Sequence, residues 1–396
     1  MIICFSRIVD HNVLQKYSSR VPIAGADDNF NRRIIEGIEE NGEKPILINF
    51  MPYQSYPVGK FFIYKKEETN IEGRKIINIG YINIPIIKSL ILKKNIIYEV
   101  KKLINRKENI NILIYDSYSA FLDAAIKLKK WNSNIKSTLI VPSIPSFDVP
   151  RKDFKAQISK CFSKKLLEKA KQMDSYVFLT KQMNNILNKE RKPYTVIEGI
   201  IPNIIHEKCA ELDKRLINKK YVLYSGRLDK IYSIDKLVNC FEKRKDDIYL
   251  VLCGIGDYVE EIKKKSKDNK KIIYLGFKNR PELNTIQQNA LILINPRSPE
   301  GIYTRYSFPS KTMEYLLTGK PVVMHKLPGI PDEYDKYLYY IKLDSERSIN
   351  DAISTVLKDI KDGKAESKSK AGRYFVLHEK NIKKQATKIM QLFKKI

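Results

Sequence analysis

The residues best suited to chemistry lie in the segment 295–333, where a buried strand runs out into a polar loop and the loop leads into a helix. The helix is predicted to begin near Phe308, Pro309 and Ser310, because proline is favoured in the first turn of a helix. Ser307 or Ser310 can cap this helix by accepting hydrogen bonds from its first amides. Unpaired amides and the positive end of the helix dipole favour a bound phosphate group.

Two charged side chains follow within the same helix, Lys311 and Glu314. Glu314 lies one turn beyond the loop, where its carboxylate can accept hydrogen bonds from the hydroxyls of a sugar. The helix is expected to stop at Gly319, since glycine is favoured at helix C-termini. Taken alone, the pattern also fits an ordinary strand–loop–helix of an α/β domain with exposed charges.

Two further strands end in glycine. Gly226 follows a strand at 221–225 and allows a sharp turn, and the adjacent Arg227 can bind phosphate through two N–H groups. Arg227 could equally pair with a local carboxylate. Gly254 follows a strand at 248–253, but the third glycine of a dinucleotide-binding loop is absent, so the turn is a weak nucleotide signal.

Strands and helices alternate through both halves of the chain, as is typical of doubly wound parallel sheets. The first half begins with a strand at 2–5 and a helix at 27–40. A chain of 396 residues is too long for one compact core, so two domains of about 200 residues are expected. Gly199 and Pro202 mark the boundary between them.

The run PSKTMEYLLTGKPVV at 309–323 resembles the donor-site helix of GT-B glycosyltransferases of family 4, which are retaining and use nucleotide sugars. The resemblance is strongest to the branch that builds bacterial surface polysaccharides. It extends to the motif GRL at 226–228, the turn GIGD at 254–257 and the stretch DSYVFLTKQM at 174–183.

The resemblance implies the GT-B fold, in which two Rossmann-like, doubly wound parallel-sheet domains face each other across a cleft. Residues 1–200 would bind the acceptor, and residues 201–375 would bind the donor nucleotide sugar. Residues 376–396 would form a helix that crosses back and packs on the first domain, for which Ile382 and Ala386 have the required spacing.

The resemblance also implies roles for particular residues. Glu314 would bind the donor ribose as the second of a pair of glutamates whose first position is Tyr306 here, with Glu300 as a possible substitute. The base-pocket candidates are Gly254, Phe277 and Lys278, although packing explains Phe277 equally well. The donor diphosphate would be bound by Gly226, Arg227, Ser307, Phe308, Pro309, Ser310 and Lys311.

The sequence departs from the family after the GRL motif. The family usually has a lysine and a glycine where this chain has Tyr232 and Ser233. The lysine shares the pyrophosphate, so its absence removes a positive charge from the donor site. Lys230 and Lys311 are candidate replacements.

Acceptor-side candidates lie in loops at the carboxyl ends of first-half strands, where α/β sheets bind ligands. They are Gly25, Asp116 and Asp148, for which a plain turn, a helix cap and a surface turn are the alternative roles. Pro142 and Ser143 stand where many relatives have a histidine that contacts the transferred sugar. No nucleophile or general base is identified from the residues.

The chain is strongly basic, with 73 Lys and Arg against 45 Asp and Glu, a formal net charge of +28. The excess is spread over both halves without a basic tail, which favours an anionic surface or phosphorylated substrates over a nucleic-acid arm. The segment 151–171 has a basic amphipathic pattern that could bind an anionic membrane. A surface helix packed on the sheet is the equal alternative.

Cysteine and histidine are few and scattered, with 5 Cys and 4 His, so no metal site is expected. Dispersed cysteines suggest reduced thiols in a cytoplasmic protein. No apolar run approaches the ~20 residues of a membrane-spanning helix. Membrane contact would then be peripheral, on the inner face of the plasma membrane.

The sequence therefore predicts a metal-independent hexosyltransferase that moves a sugar from a UDP-linked donor to a saccharide or polyprenyl-diphosphate-linked acceptor. The nucleotide sugar is a substrate, and no cofactor is expected. The context would be capsule, O-antigen or exopolysaccharide synthesis, with retention at the anomeric carbon. Alternatives are a nucleic-acid-binding protein, suggested by the net charge of +28, and a nucleotide-sugar epimerase of the same fold.

Overall fold

A computed structural model of the chain describes residues 1–9, 26–53, 55–57, 61–71, 73–85, 87–144, 155–201 and 210–396, without the side chains of 26, 27 and 155–161. These residues form two compact units. Unit 1 comprises Met1–Ile200 and Asn381–Ile396, and unit 2 comprises Ile201–Lys380. The second unit extends to residue 380, beyond the 375 expected from the sequence. Gly25, Asp148 and Pro202 lie outside the described residues.

Unit 1 contains a largely parallel sheet. Its strands, with those of a separate two-stranded ribbon, are β1 (Ile2–Ser6), β2 (Ile46–Asn49), β3 (Ile63–Tyr64), β4 (Glu67–Ile71), β5 (Arg74–Asn78), β6 (Tyr81–Ile82), β7 (Ile110–Tyr115), β8 (Ile135–Val141), β9 (Ser175–Phe178) and β10 (Tyr194–Val196). The order in the sheet is β10-β9-β8-β7-β1-β2-β5-β4, and β3 pairs with β6. Strand β4 is antiparallel to β5. Its polar sequence, EETNI, lies at the sheet edge, so no apolar pattern predicts it.

Helices flank this sheet. They are α1 (Ala26–Glu40), α2 (Ile87–Leu103), α3 (Ser119–Trp131), α4 (Lys155–Ala170) and α5 (Asn184–Leu187), together with the C-terminal helix α12 (Ile382–Phe393). Most of the basic pattern predicted at 151–171 falls on residues or side chains that are not described. Of the described part of α4, Phe162 is exposed and Ala170 is buried.

Helix α12 packs against α1 within unit 1. A Cβ atom added to Gly37 would lie 2.3 Å from the Ile382 carbonyl oxygen and 2.8 Å from Ala386 Cβ. Thr387 Oγ1 donates a hydrogen bond to Asn41 Oδ1 at 2.9 Å. Glycine at position 37 is therefore what lets the two helices approach closely.

Unit 2 contains a fully parallel sheet. Its strands are β11 (Tyr221–Arg227), β12 (Tyr249–Ile255), β13 (Ile272–Gly276), β14 (Ile292–Asn295), β15 (Val322–His325) and β16 (Tyr339–Ile341), in the order β13-β12-β11-β14-β15-β16. Its helices are α6 (Ile234–Lys243), α7 (Val259–Asp268), α8 (Arg280–Asn289), α9 (Ser310–Leu317), α10 (Glu346–Lys361) and α11 (Lys364–Glu379).

Both faces of this sheet are buried. Val222 and Tyr224 of β11 belong to one apolar cluster, and the alternating Tyr221 and Leu223 belong to another. This alternation explains why the strand reads as continuously apolar, as expected for a parallel sheet covered by helices. None of the helices in the described part of the chain is long and apolar enough to cross a bilayer.

Candidate functional site

The sheet of unit 2 has a switch point between β11 and β14. Strands β12 and β13 extend the sheet on one side of β11, and β14, β15 and β16 extend it on the other. The connections leave the carboxyl ends of β11 and β14 in opposite directions, which opens a crevice where ligands of α/β sheets bind. Gly226 and Arg227 lie at the end of β11, and Arg297 lies in the loop after β14.

Two glycines bring the backbone together beside this crevice. Gly226 pairs with Gly254 in the register of β11 and β12, and both have positive φ, 149° and 137°. A Cβ atom on Gly254 would lie 1.8 Å from the Gly226 carbonyl oxygen, and one on Gly226 would lie 2.4 Å from Lys311 Nζ. The strand ends and the Lys311 side chain can therefore occupy these positions only because both residues lack side chains.

A pocket of about 310 Å³ opens at these strand ends. Six of the residues that line it were assigned to a nucleotide-sugar site in the sequence analysis, although they are spread over 86 positions of the chain. They are Gly226, Arg227, Gly254, Phe277, Lys278 and Lys311. The remaining lining residues are Ser225, Cys253, Ile255 and Leu283. Burial raises the pKa of the Cys253 thiol to about 12, so it is protonated and is no nucleophile.

Lys311 is a desolvated cation without an ion-pair partner among the described residues. Burial lowers the pKa of its ammonium group, Glu314 opposes this change, and Arg297 adds to it through charge repulsion. The nearest aromatic contact is the ring of Tyr224, whose centroid lies 5.9 Å from Nζ. The environment of Lys311 thus favours an anionic ligand.

Arg297 is the residue that sequence reasoning missed. Its Nη2 donates to Ser307 Oγ at 3.0 Å, and its guanidinium lies 5.0 Å from the ring centroid of Tyr303 and 5.7 Å from that of Tyr232. Its Nε is buried and has no hydrogen-bond partner. In the described part of the chain no carboxylate pairs with it. The sequence feature that could have identified Arg297 is its position in the loop directly after a buried strand, which resembles the position of Arg227.

The start of α9 differs from the prediction in its capping. Pro309 is the N-cap rather than the first helical residue, and no side chain caps the helix. Ser307 Oγ instead donates to the Tyr303 carbonyl oxygen at 3.0 Å, and Ser310 is the exposed first residue of the helix. Phe308 packs into the core, with its ring centroid 5.4 Å from that of Tyr334. The start of α9 therefore presents backbone amides. Ser307 accepts a hydrogen bond from Arg297 instead of capping the helix.

Arg227 pairs with a local carboxylate, the alternative that the sequence left open. Its Nε donates to Asp229 Oδ2 at 2.9 Å, and Asp229 Oδ1 accepts from the amide of Asp257 at 2.9 Å. This ion pair raises the pKa of the Arg227 guanidinium. The side chain is 62% exposed, so its outer N–H groups still reach the pocket.

Glu314 and Lys278 are also ion-paired. Glu314 Oε1 lies 3.5 Å from Arg280 Nη1, and the Glu314 side chain is one-third exposed. Glu314 is not among the residues that line the pocket. Lys278 Nζ lies between Asp213, at 3.5 Å, and Glu282, at 3.3 Å. Phe277 is two-thirds exposed and forms part of the pocket wall.

The positions that depart from the family have clear structural roles. Ser233 adopts a left-handed conformation with φ 58° and ψ 30°, which glycine adopts more easily. Its hydroxyl donates to Asp344 Oδ1 at 3.0 Å. Tyr232 stacks under Arg297. Lys230 Nζ lies over the ring of Tyr258 at 5.3 Å and, like Arg297, is not among the residues lining the pocket.

Asp116 lies in unit 1, apart from this pocket. It follows β7 with a φ of 70° and pairs with Arg7 Nη1 at 2.8 Å. It does not cap α3, whose N-cap is Tyr118. Arg7 Nε and Ser117 Oγ are buried without a hydrogen-bond partner. A residue with positive φ and two unpaired polar atoms therefore lie together at the end of β7.

Among the described residues, no group of three or more His, Cys, Asp or Glu side chains could hold a metal ion. Cys4, Cys240 and Cys253 are free and buried thiols. The pocket lining includes the cationic side chains of Arg227, Lys278 and Lys311, which can attract an anion.

Comparison with known proteins agrees with this geometry. Residues 211–394 match the family described as Glycosyl transferases group 1. No curated protein matches the chain. The matched segment covers most of unit 2 and continues through α12.

Solved structures share the fold of the whole chain. A sucrose-phosphate synthase from Thermosynechococcus elongatus is 15% identical, covers 99% of this chain and 98% of its own, and has a TM-score of 0.66. An alpha,alpha-trehalose-phosphate synthase (UDP-forming) from Burkholderia xenovorans in complex with glucose-6-phosphate is 12% identical over 99% of both chains, with a TM-score of 0.67. HepE from Anabaena in complex with UDP is 12% identical over 100% of both chains, with a TM-score of 0.63. The predicted GT-B fold and a glycosyltransferase enzyme are thereby confirmed. The polysaccharide branch and retention stay predictions.

Proposed function

We propose that this glycosyltransferase moves a sugar from a UDP-linked donor to a saccharide or polyprenyl-diphosphate-linked acceptor, with retention at the anomeric carbon. The context is the synthesis of a bacterial capsule, O-antigen or exopolysaccharide, at the inner face of the plasma membrane. A uridine donor is supported by the HepE structure, which contains UDP, and by the UDP-forming trehalose-phosphate synthase. The polysaccharide context is supported by the resemblance of the PSKTMEY run alone.

The observation that carries the proposal is a pair of unpaired cations at the switch point of unit 2. Lys311 lies against the bare backbone of Gly226. Arg297 is not among the residues that line the pocket, but it binds Ser307 beside the start of α9 and is close enough to lower the pKa of Lys311 through charge repulsion. Neither cation forms an ion pair with any described carboxylate. Desolvated cations and unsatisfied donors are costly unless a ligand supplies the complementary charge. A diphosphate supplies that charge in a compact form.

The reaction explains why this charge matters. The bond between the anomeric carbon and a phosphate oxygen breaks, and the oxygen of an acceptor hydroxyl bonds to the anomeric carbon. The hydroxyl proton is released to water, and the nucleoside diphosphate leaves with increased negative charge. Donors already in place where charge develops stabilise the transition state more than mobile groups do. We assign this role to Lys311, Arg297 and the first amides of α9, with Arg227 contributing from the pocket rim. These cations would allow transfer without a metal.

The remaining roles extend the same proposal. Glu314 binds the donor ribose after exchanging its contact with Arg280, since it lies one turn beyond Lys311 and is one-third exposed. Phe277 and Lys278 line the base pocket. The acceptor binds unit 1 near Asp116 and Arg7, where the strained backbone and the unpaired polar atoms lie.

Calorimetric titration of UDP into the full-length protein, in buffer with a chelator, tests the two cations. Arg297→Gln and Lys311→Gln should each weaken UDP binding roughly ten- to a hundredfold, the range for a lost hydrogen bond to a charged group. The matched controls are Arg347→Gln and Lys267→Gln, which change exposed cations of unit 2 outside the pocket lining. Those controls should bind UDP normally.

Two results would reject the proposal. One is UDP binding that requires an added divalent metal. The other is an affinity that stays unchanged in both pocket variants while they retain the melting temperature of the parent protein.

A further inference from the structure

An exposed apolar patch lies on unit 1. The patch comprises Tyr56, Phe62, Ile63, Ile87, Leu90 and Tyr98, which are 42–64% exposed. These residues account for six of the sixteen exposed large hydrophobic side chains in the described part of the chain, although they span only residues 56–98. Scattered exposed hydrophobics need no explanation, but a cluster marks an interaction surface.

The patch lies on two elements that pack against each other, the β3–β6 ribbon with the segment around Tyr56, and helix α2. The backbone of Asn83 is hydrogen-bonded to both Tyr56 and Phe62. Tyr56 N donates to the Asn83 carbonyl oxygen at 2.8 Å, and Asn83 N donates to the Phe62 carbonyl oxygen at 2.7 Å. The Tyr56 and Phe62 ring centroids are 5.9 Å apart. Ile63 pairs with Ile82 in the β3–β6 ribbon, and α2, which carries the other members, packs on β6.

Helix α2 is apolar on two faces. Leu92, Ile96 and Val100 are buried, as expected for the face that packs on the unit. At 100° per residue, Ile87, Leu90 and Tyr98 fall within about 80° of one another on the outer face, with Lys94 and Lys101 between them. An outer face of this kind has no packing role inside unit 1.

The charge of this face is mainly positive, although the exposed Glu68, which pairs with Lys75, lies near Lys102. Lys94, Lys101 and Lys102 are exposed, and Glu99, the acidic residue of α2, is buried and paired with Lys66 at 2.7 Å. Lys65, next to the ribbon strand, is exposed as well. None of Lys65, Lys94 and Lys102 forms an ion pair with a described residue.

We propose that this surface binds the face of a lipid bilayer that contains anionic lipids. Aromatic and aliphatic side chains enter the interfacial region, and the lysines between them reach the lipid phosphates. A second copy of this chain fits less well, because a two-fold contact would bring the same lysines of both copies together. The proposal concerns unit 1 alone and stands whether or not the donor site holds UDP.

Co-sedimentation of the full-length protein with vesicles tests the surface, without nucleotide. We expect binding to vesicles of phosphatidylcholine and phosphatidylglycerol at 3:1, and little binding to phosphatidylcholine alone. The triple variant Phe62→Ser/Ile63→Ser/Leu90→Ser and the triple variant Lys94→Ser/Lys101→Ser/Lys102→Ser should each lower the partition coefficient on the order of tenfold or more.

Two control variants match these changes in unit 2. Ile217→Ser/Leu343→Ser/Tyr374→Ser removes exposed apolar side chains, and Lys264→Ser/Lys267→Ser/Lys270→Ser removes three exposed lysines. Both should bind vesicles as the parent protein does. Equal losses in the controls would show that net charge or general stickiness is responsible, and would overturn the proposal.

Two further outcomes would overturn it. One is a parent protein that does not bind the anionic vesicles. The other is a parent protein that is dimeric by light scattering and becomes monomeric in the Phe62/Ile63/Leu90 variant, which would assign the patch to a second copy.

Discussion

Arg297 differs from several other arginines of unit 2 because no described carboxylate pairs with it. Several other arginines of unit 2 have a carboxylate partner: Arg215 pairs with Asp213, Arg227 with Asp229, Arg244 with Asp246 and Arg280 with Glu314. Arg297 has aromatic rings, one serine hydroxyl and a buried Nε without a partner. Guanidinium groups favour two-pronged contacts with phosphate, which is why we propose a diphosphate as the partner of Arg297.

Lys311 leads to a prediction about pH. Burial lowers the pKa of its ammonium group from the usual value, and the protonated form is the one that attracts a diphosphate. UDP affinity should therefore be constant below this pKa and fall as the pH rises through it. The fall should begin at a lower pH than for an ordinary lysine.

Titrations of UDP between pH 7.5 and 10.5 measure this effect, because the phosphate is already fully ionised above its second pKa near 6. Lys311→Arg keeps its charge across the range, so its affinity for UDP should fall less than that of the parent protein. The decline that remains in this variant measures the ionisation of the uracil N3–H, which occurs in the same pH range. An identical decline in the parent protein and in Lys311→Arg would contradict the assignment.

At the scale of elements, the site depends on where strands and helices end. Gly226 and Gly254 end neighbouring strands, and their missing side chains make room for one another and for Lys311. The αL conformation of Ser233 starts α6, and its hydroxyl bond to Asp344 helps to hold a conformation that glycine would adopt more easily. The residue types at positions 226, 254 and 233 are thus constrained by the backbone conformation as much as by the chemistry of the site.

The contact between α1 and α12 leads to a second prediction. Gly37→Ala would place a Cβ atom 2.3 Å from the Ile382 carbonyl oxygen, which must push α12 away from α1. We expect a loss of about 1–3 kcal/mol in the free energy of unfolding of unit 1, the usual cost of overpacking. Thermal or denaturant unfolding measures it.

Asn29→Ala is the matched control, because Asn29 is exposed in the same helix and alanine favours a helix. This control should unfold at or slightly above the parent temperature. A Gly37→Ala variant as stable as the control would mean that α12 is not packed against α1 as described.

At the scale of the whole molecule, the charge of +28 raises the question of polyanion binding. Many exposed lysines are spread over both units. Binding to duplex DNA should therefore be weak, independent of sequence and strongly reduced between about 50 and 200 mM salt, as expected for counterion release.

Filter binding with two unrelated duplexes over this salt range measures that dependence. Tight binding that prefers one duplex and persists at the higher salt concentration would favour the nucleic-acid alternative. Titration of UDP at the same salt concentrations is the internal control. Salt should weaken UDP binding less than DNA binding, because it screens desolvated cations less than exposed lysines.

The sequence alone determined the features that local chemistry dictates. Apolar strands alternating with amphipathic helices predict parallel, doubly wound sheets. The glycines at strand ends, Lys311 and Glu314 point to a phosphate and sugar site only through the resemblance to GT-B glycosyltransferases. Only the tertiary structure decided which of these groups face one another. It paired Arg227 with Asp229 and Glu314 with Arg280, turned Phe308 into the core, and brought Arg297 beside Ser307 with no carboxylate. The physical reason is that burial and charge pairing arise between residues far apart in the chain, so spacing along the sequence carries no record of them.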